Sequence, residues 1–185
     1  MLLGAQLVAE GLCTVQDLED GLRAQLQFRG RLGSNLVEIG AIDLDELAAA
    51  LGRQRRVPAA LIHHFRMVDA QTLTRIPKRL AEKYGCVPIG VPPNSPRQLA
   101  VAMIDPFAPG AVEELAFATG VRIVPMIAPE LRIQDALAKF YGVARPDSGA
   151  FVRVRTPGKR TRPRGVIPTP GAMPAYVPAG GAQRL

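Results

Sequence analysis

The sequence predicts an α+β fold: an N-terminal helical repeat of two helix-pair motifs, a small α/β subdomain with a short sheet, then a disordered basic tail. Three observations predict it. Residues 2–25 and 31–54 are two copies of one unit. Residues 58–142 follow an α-β-β-α-β-α order of apolar periods and turn signals. Residues 145–185 are rich in Pro, Gly and Arg and poor in everything a core needs. The chain therefore divides into 1–57, 58–144 and 145–185.

The repeat aligns LLGAQLVAEGLCTVQDLEDGLRAQ with RLGSNLVEIGAIDLDELAAALGRQ, without a gap, across the spacer Leu26 to Gly30. Eight of the 24 positions are identical, where average usage would give about two. Each copy reads as two helices. The first, L-G-x-x-L-V-x-x-G, has apolar residues at helical spacing and stops at a glycine suited to the position after a helix end. The second starts at Thr14 or Asp43, each with an acid three residues on, Asp17 or Glu46, as in a capping box. Leu18, Leu22 and Gln25 then share one helical face, and Leu47, Leu51 and Gln54 repeat it. A glutamine ending an apolar stripe is the unusual feature.

In the second part, Leu61 to Val68 reads as a strand or a connecting segment. Asp69 caps a helix over 70–76, and Pro77 opens another that ends near Gly85. Cys86–Val91 and Leu99–Ile104 read as strands joined by the turn PPNSPR. Residues 111–119 form a helix stopped by Gly120, Val121–Ile127 a strand, and Pro129 opens a last helix running to Gly142.

The 185 residues are 48% hydrophobic but only 5% aromatic, so the core is built from Leu, Val, Ile and Ala. No run of about 18 apolar residues predicts a membrane-spanning helix. The N-terminus lacks the basic and apolar segments of a secretory signal. Cys13 and Cys86 stand far apart, with no Cys or His at ligand spacing. A disulfide scaffold and a metal site are not expected, and a reducing cytoplasm is. Both cysteines read as small buried apolar residues. His63–His64 has no acid or thiol at ligand spacing.

Basic and acidic residues balance over 1–144, so the net charge of +7 resides entirely in residues 145–185. That segment holds seven prolines and six glycines and cannot bury enough apolar surface to offset the entropy of ordering. It reads as a solvated linker, with weak contact to an anionic membrane surface or nucleic acid as the alternative. Contact of the second kind would fall steeply with salt and vanish on deletion of 145–185. The chain's one Gly-Lys pair, Gly158–Lys159, lies in this segment without the spacing of a phosphate-binding loop. With no nucleophile–base set either, the chain reads as non-enzymatic, with no cofactor.

The double R-L-G-x-x-L-V-x-x-G…L-x-x-x-L-x-x-Q unit resembles the N-terminal domain of the ATPases of type II secretion and type IV pili, in its cyclic-di-GMP-binding form. That form has two 24-residue motifs and a five-residue spacer. IPKRLAEKYGCVPIGV and LAVAMIDPFAPGAVEEL are typical of the same family, and the resemblance covers roughly residues 1–142. It implies ligand contacts at Leu3, Leu18, Leu22 and Gln25 in the first motif and at Arg31, Leu32, Leu47, Leu51 and Gln54 in the second. It implies a further contact at Asp105; with no phosphate-loop signature, the family's ATPase module is not expected in this chain. Leu2 stands where the family's first motif has a basic residue, and Cys13 replaces an aliphatic one.

The residue types suit such a ligand. Two similar half-sites would meet two similar halves of a cyclic dinucleotide. Leucines cover purine faces, and glutamine both donates to and accepts from a base edge. Arginine forks onto guanine O6 and N7, worth about 1–3 kcal/mol. Gly4 and Gly33 let backbone approach, and the N–H groups at Leu32–Gly33 begin a helix, where an anion is favoured. Leu2 removes one charge-assisted hydrogen bond, about 1.5–3 kcal/mol, for which Arg29 or a tail arginine would have to compensate. The resulting expectation is a stand-alone cyclic-di-GMP receptor. The rival is a docking module for a secretion or pilus component with degenerate ligand binding.

Overall fold

The computed structural model describes residues 1–92 and 95–144. The expected tail over 145–185, the Gly158–Lys159 pair and part of the PPNSPR turn lie outside the described residues.

The repeat forms four helices: α1 (Leu3–Ala9), α2 (Val15–Phe28), α3 (Leu32–Glu38) and α4 (Leu44–Arg55). Both predicted capping boxes are present. The Thr14 hydroxyl accepts from Asp17 N (3.1 Å) and the Asp17 carboxylate accepts from Thr14 N (2.8 Å). Asp43 accepts from Glu46 N (2.8 Å), and Glu46 accepts from Asp43 N (3.2 Å). Gly11 and Gly40 follow α1 and α3 at φ 68° and 75°, the left-handed conformation that a side chain disfavours. Between each pair of helices the chain turns in the same way because the glycine and the capping pair recur at the same spacing.

Burial recurs as well. α1 buries Gly4, Gln6 and Leu7; α3 buries Gly33, Asn35 and Leu36. Leu7 and Leu36 are fully enclosed with Cys13, Ile42, Leu47 and Ala50 in one cluster, each such leucine contributing about 1.5–3 kcal/mol. The buried polar pair is satisfied. Gln6 Nε2 donates to Ala50 O (3.1 Å), and Asn35 Nδ2 donates to the carbonyls of Arg29 and Arg31 (3.0 Å each). Asn35 thereby fixes the spacer turn, in which Arg29 itself takes φ 63°. α1 packs on α4 and α2 on α3, so each repeat's first helix rests on the other repeat's second. Glu10 and Arg53 form an ion pair across α1 and α4. The Arg53 hydrogen bond holds the Glu10 carboxyl below its ordinary value near 4.5, against the smaller opposing effect of burial. Its contribution is complete above that ordinary value and is lost as pH falls through the lower folded one.

The second part contains α5 (Ile62–Arg66), α6 (Ala70–Thr74), α7 (Lys78–Tyr84), β1 (Cys86–Gly90), β2 (Gln98–Met103), α8 (Ala111–Thr119), β3 (Arg122–Ile127) and α9 (Glu130–Tyr141). The sheet order is β1-β2-β3, with β1–β2 antiparallel and β2–β3 parallel through α8. The predicted order of elements holds throughout, with one correction: Leu61 to Val68 is neither strand nor connector but contains a short helix. His64 supplies its start, because Nδ1 accepts from Leu61 N (3.0 Å). Asp45 accepts from the next amide, Ile62 N (2.9 Å). Burial, then the neighbouring His63, hold the His64 imidazole below its ordinary value of 6.5, which keeps Nδ1 an acceptor at neutral pH. Cys86 lies in the core of the sheet, and burial pushes its thiol up to about 12. No helix among the described residues is long and apolar enough to cross a membrane.

The repeat is held to the second part at several points, two of them through α4. Residues 58–60 run beside β3, with Ala60 N donating to Ile127 O and Ile127 N donating to Pro58 O, both at 2.8 Å. Gly52 permits the approach: a Cβ there would sit 3.0 Å from the Val57 carbonyl and 3.1 Å from the Ala59 methyl. The second connection is an ion pair between Asp45 on α4 and Arg132 on α9. Arg132 is buried, lies 6.0 Å from the Phe65 ring centre and has its Nε without a hydrogen-bond partner.

Candidate functional site

A cavity of about 210 Å³ lies where the repeat meets the sheet. Its floor is the carboxyl end of the parallel strand pair, where β2 runs into Ile104–Asp105 and β3 into Ile127–Pro129. Open α/β sheets commonly bind ligands at that end. Its walls come from the starts of α1 and α3 and the apolar stripe of α4.

Eight of the twelve residues singled out in the sequence line this cavity: Leu3, Arg31, Leu32, Gly33, Leu47, Leu51, Gln54 and Asp105. Gly4, Leu18, Leu22 and Gln25 lie outside its lining. The reason is packing. α4 is covered by β3 and the 57–60 segment and buries Leu47, Ala48, Ala50 and Gly52, whereas α2 buries only Gly21. The first motif's stripe is consequently less enclosed, with Leu22 43% exposed and Leu18 and Gln25 partly buried. The two stripes still join. A Cβ at Gly4 would sit 2.6 Å from Leu18 Cδ1 and 3.3 Å from Leu32 Cδ2. Leu32 therefore lies against Gly4, as Leu18 does, and also lines the cavity. At the equivalent position, a Cβ on Gly33 would sit 3.0 Å from the Leu47 methyls. In both repeats glycine lets the leucine of the second helix close over the first.

The glutamines show the symmetry most clearly. Gln25 Nε2 donates to Gly30 O (2.9 Å), and Gln54 Nε2 donates to Met1 O (3.0 Å). The offset of 29 that relates Gln25 to Gln54 also relates Met1 to Gly30. Each glutamine thus sits at the entry of the opposite repeat's first helix, beside Arg31 or Leu2. Neither first helix has a side-chain cap at Leu2 or Arg31, while both second helices have complete boxes. The amides at the starts of α1 and α3 are left for another acceptor.

Charge in the cavity is mixed. Arg31 reaches across to Glu130 on α9 (Nε to Oε2 3.2 Å). Asp105 Oδ1 accepts from Phe107 N (3.1 Å). Arg55 completes the charged set. Sequence reasoning missed Ser34, Arg55, Ile104, Ile127, Ala128, Pro129 and Glu130. Ser34, Arg55 and Ile104 adjoin residues singled out in the sequence, so their place was readable, but Ile127 to Pro129 and Glu130 enter through the docking of the two parts. Arg29 does not line the cavity, and the tail arginines lie outside the described residues.

Residues 56–147 match the sequence model of the MshEN domain. Over 144 residues the chain is 35% identical to the type IV pilus assembly ATPase PilB of Myxococcus xanthus (strain DK1622). That alignment covers 78% of this chain and 25% of the ATPase, so the chain spans a quarter of that relative's length. The solved structure of MshE with cdg is 30% identical, with a TM-score of 0.53, covering 76% of this chain and 99% of that one. The N-terminal domain of XpsE is 19% identical at a TM-score of 0.44, covering 76% and 94%. The match to MshE runs through the repeat and the sheet alike, and on that likeness the chain belongs to the MshEN domain family, related to the N-terminal domain of secretion and pilus ATPases.

Proposed function

We propose that this chain is a cyclic-di-GMP receptor, binding the dinucleotide with its tandem motifs and without catalysing a reaction. The observation that carries the reading is the cavity, in which residues from both motifs, Leu3 and Arg31 to Gln54, converge with Asp105 at the end of β2. The MshE relative solved with cdg supports the ligand's identity. At about 210 Å³ the cavity suits one base rather than a whole dinucleotide. The second base belongs on the stripe Leu18, Leu22, Gln25, of which Leu22 is the exposed member, across from Leu32. Phosphates meet the uncapped amides of α1 and α3 and the guanidinium of Arg31. Asp105 offers its second carboxylate oxygen to guanine N–H donors. The reading carries with it a cytoplasmic location.

Calorimetric titration of the full chain with cyclic-di-GMP tests this. Micromolar or tighter binding with one dinucleotide per chain is expected. No heat up to about 100 μM, a free energy near −5.5 kcal/mol, overturns it. The second reading, a docking module for a secretion or pilus component, is favoured by the exposed Leu2 at the motif's basic position and by Phe117, 93% exposed on α8. It becomes the better account if the titration is silent.

A further inference from the structure

The first repeat begins without a cation. Leu2 occupies the place of Arg31, yet the start of α1 has the same backbone as the start of α3, extended at the cap and free of any side-chain bond. Gln54 brings the end of α4 beside it through its hydrogen bond to Met1 O. The next residue, Arg55, is exposed and lines the cavity. Its guanidinium carbon lies 5.9 Å from the Phe107 ring centre, and it forms no ion pair among the described residues. The neighbouring Arg53 is held by Glu10, and Arg31 by Glu130.

We infer that Arg55 supplies the second cation of the dinucleotide site, replacing from the end of α4 the basic residue that the first repeat lacks at Leu2. This rests on the receptor reading above. A ligand with two phosphates meets Arg31 at one and Arg55 at the other, and Phe107 holds the Arg55 side chain at the rim until then. The ordinary role of a basic residue in the last turn is to complement the helix dipole. That role acts on stability and leaves ligand affinity untouched, so the two are separable.

The experiment is calorimetric titration of the full chain with cyclic-di-GMP for the wild type, Arg55→Ala, and Arg55→Ala combined with Leu2→Arg. Both positions are exposed, so each variant is expected to fold. Arg55→Ala is expected to bind about tenfold more weakly, with a shallower dependence on salt. Restoring the cation at position 2 is expected to recover the affinity to within about threefold of the wild type. If the wild type binds and Arg55→Ala binds within about twofold of it, the role of Arg55 is overturned while the receptor reading stands. If Arg55→Ala weakens binding and Leu2→Arg does not recover it, the replacement of Leu2 is overturned. A wild type that does not bind overturns the receptor reading and this inference together.

Discussion

Asp45→Ala is expected to lower stability by about 3 kcal/mol, near the lower end of what breaking a buried ion pair costs. For a folded part of this size that is a fall in midpoint of roughly 10 °C, measurable by thermal denaturation of the full chain. The size follows from which partner is left behind. Arg132 is 7% exposed and its Nε already lacks a partner. Removing Asp45 leaves that guanidinium buried without its counter-ion, and Ile62 N loses its acceptor as well. Arg132→Met should cost much less, about 1 kcal/mol, because the charge left over belongs to Asp45, whose side chain is 39% exposed and can hydrate. Equal losses from the two substitutions would contradict this account of the junction. Asp45 joins α4 to both α5 and α9, so its loss loosens the wall of the cavity along with the fold.

Arg31→Ala is expected to weaken cyclic-di-GMP binding by roughly one to two decades, the equivalent of a charge-assisted hydrogen bond worth about 1.5–3 kcal/mol. Glu130→Gln is expected to act in the opposite direction. In the unliganded chain Arg31 is paired with Glu130 across the cavity, and a phosphate must replace that carboxylate. Arg31 is exposed and Glu130 partly so, the pair is worth about 1 kcal/mol, and the gain is about fivefold. Titrations of the two variants beside the wild type check both signs. Tighter binding by Arg31→Ala, or weaker binding by Glu130→Gln, would contradict the exchange of partners.

Much of the fold is legible in the sequence because it is written locally. A threonine or aspartate with an acid three residues on, a glycine after a short apolar stripe, and a duplicated spacing each fix geometry within one turn of helix. Gly11, Gly40, Gly85 and Gly120 all stop helices where the pattern places the stops. The segment around His63–His64 is not legible, because its helix is started by a histidine side chain and an aspartate 17 residues away. The site divides along the same line. Residues within the repeated motif announce themselves by their offset of 29. Glu130 and the end of β3 have no motif, and reach the cavity through the docking in which residues 58–60 lie along β3 and Arg132 pairs with Asp45. The burial of Gln6 and Asn35 had a readable trace, a polar residue at one inward position of both copies, whereas the burial of Arg132 had none. The difference between the two half-sites, one more enclosed than the other, is likewise a property of docking, since both motifs carry the same Leu, Leu, Gln stripe.

The central claim is that one dinucleotide engages both motifs, and hydrogen exchange of the full chain with and without saturating cyclic-di-GMP tests it most directly. The account predicts added protection in the first turns of α1 and α3, along both stripes at 18–25 and 47–54, and at 104–105. Protection confined to the 47–54 stripe, or unchanged exchange in α1 and α3, would contradict it.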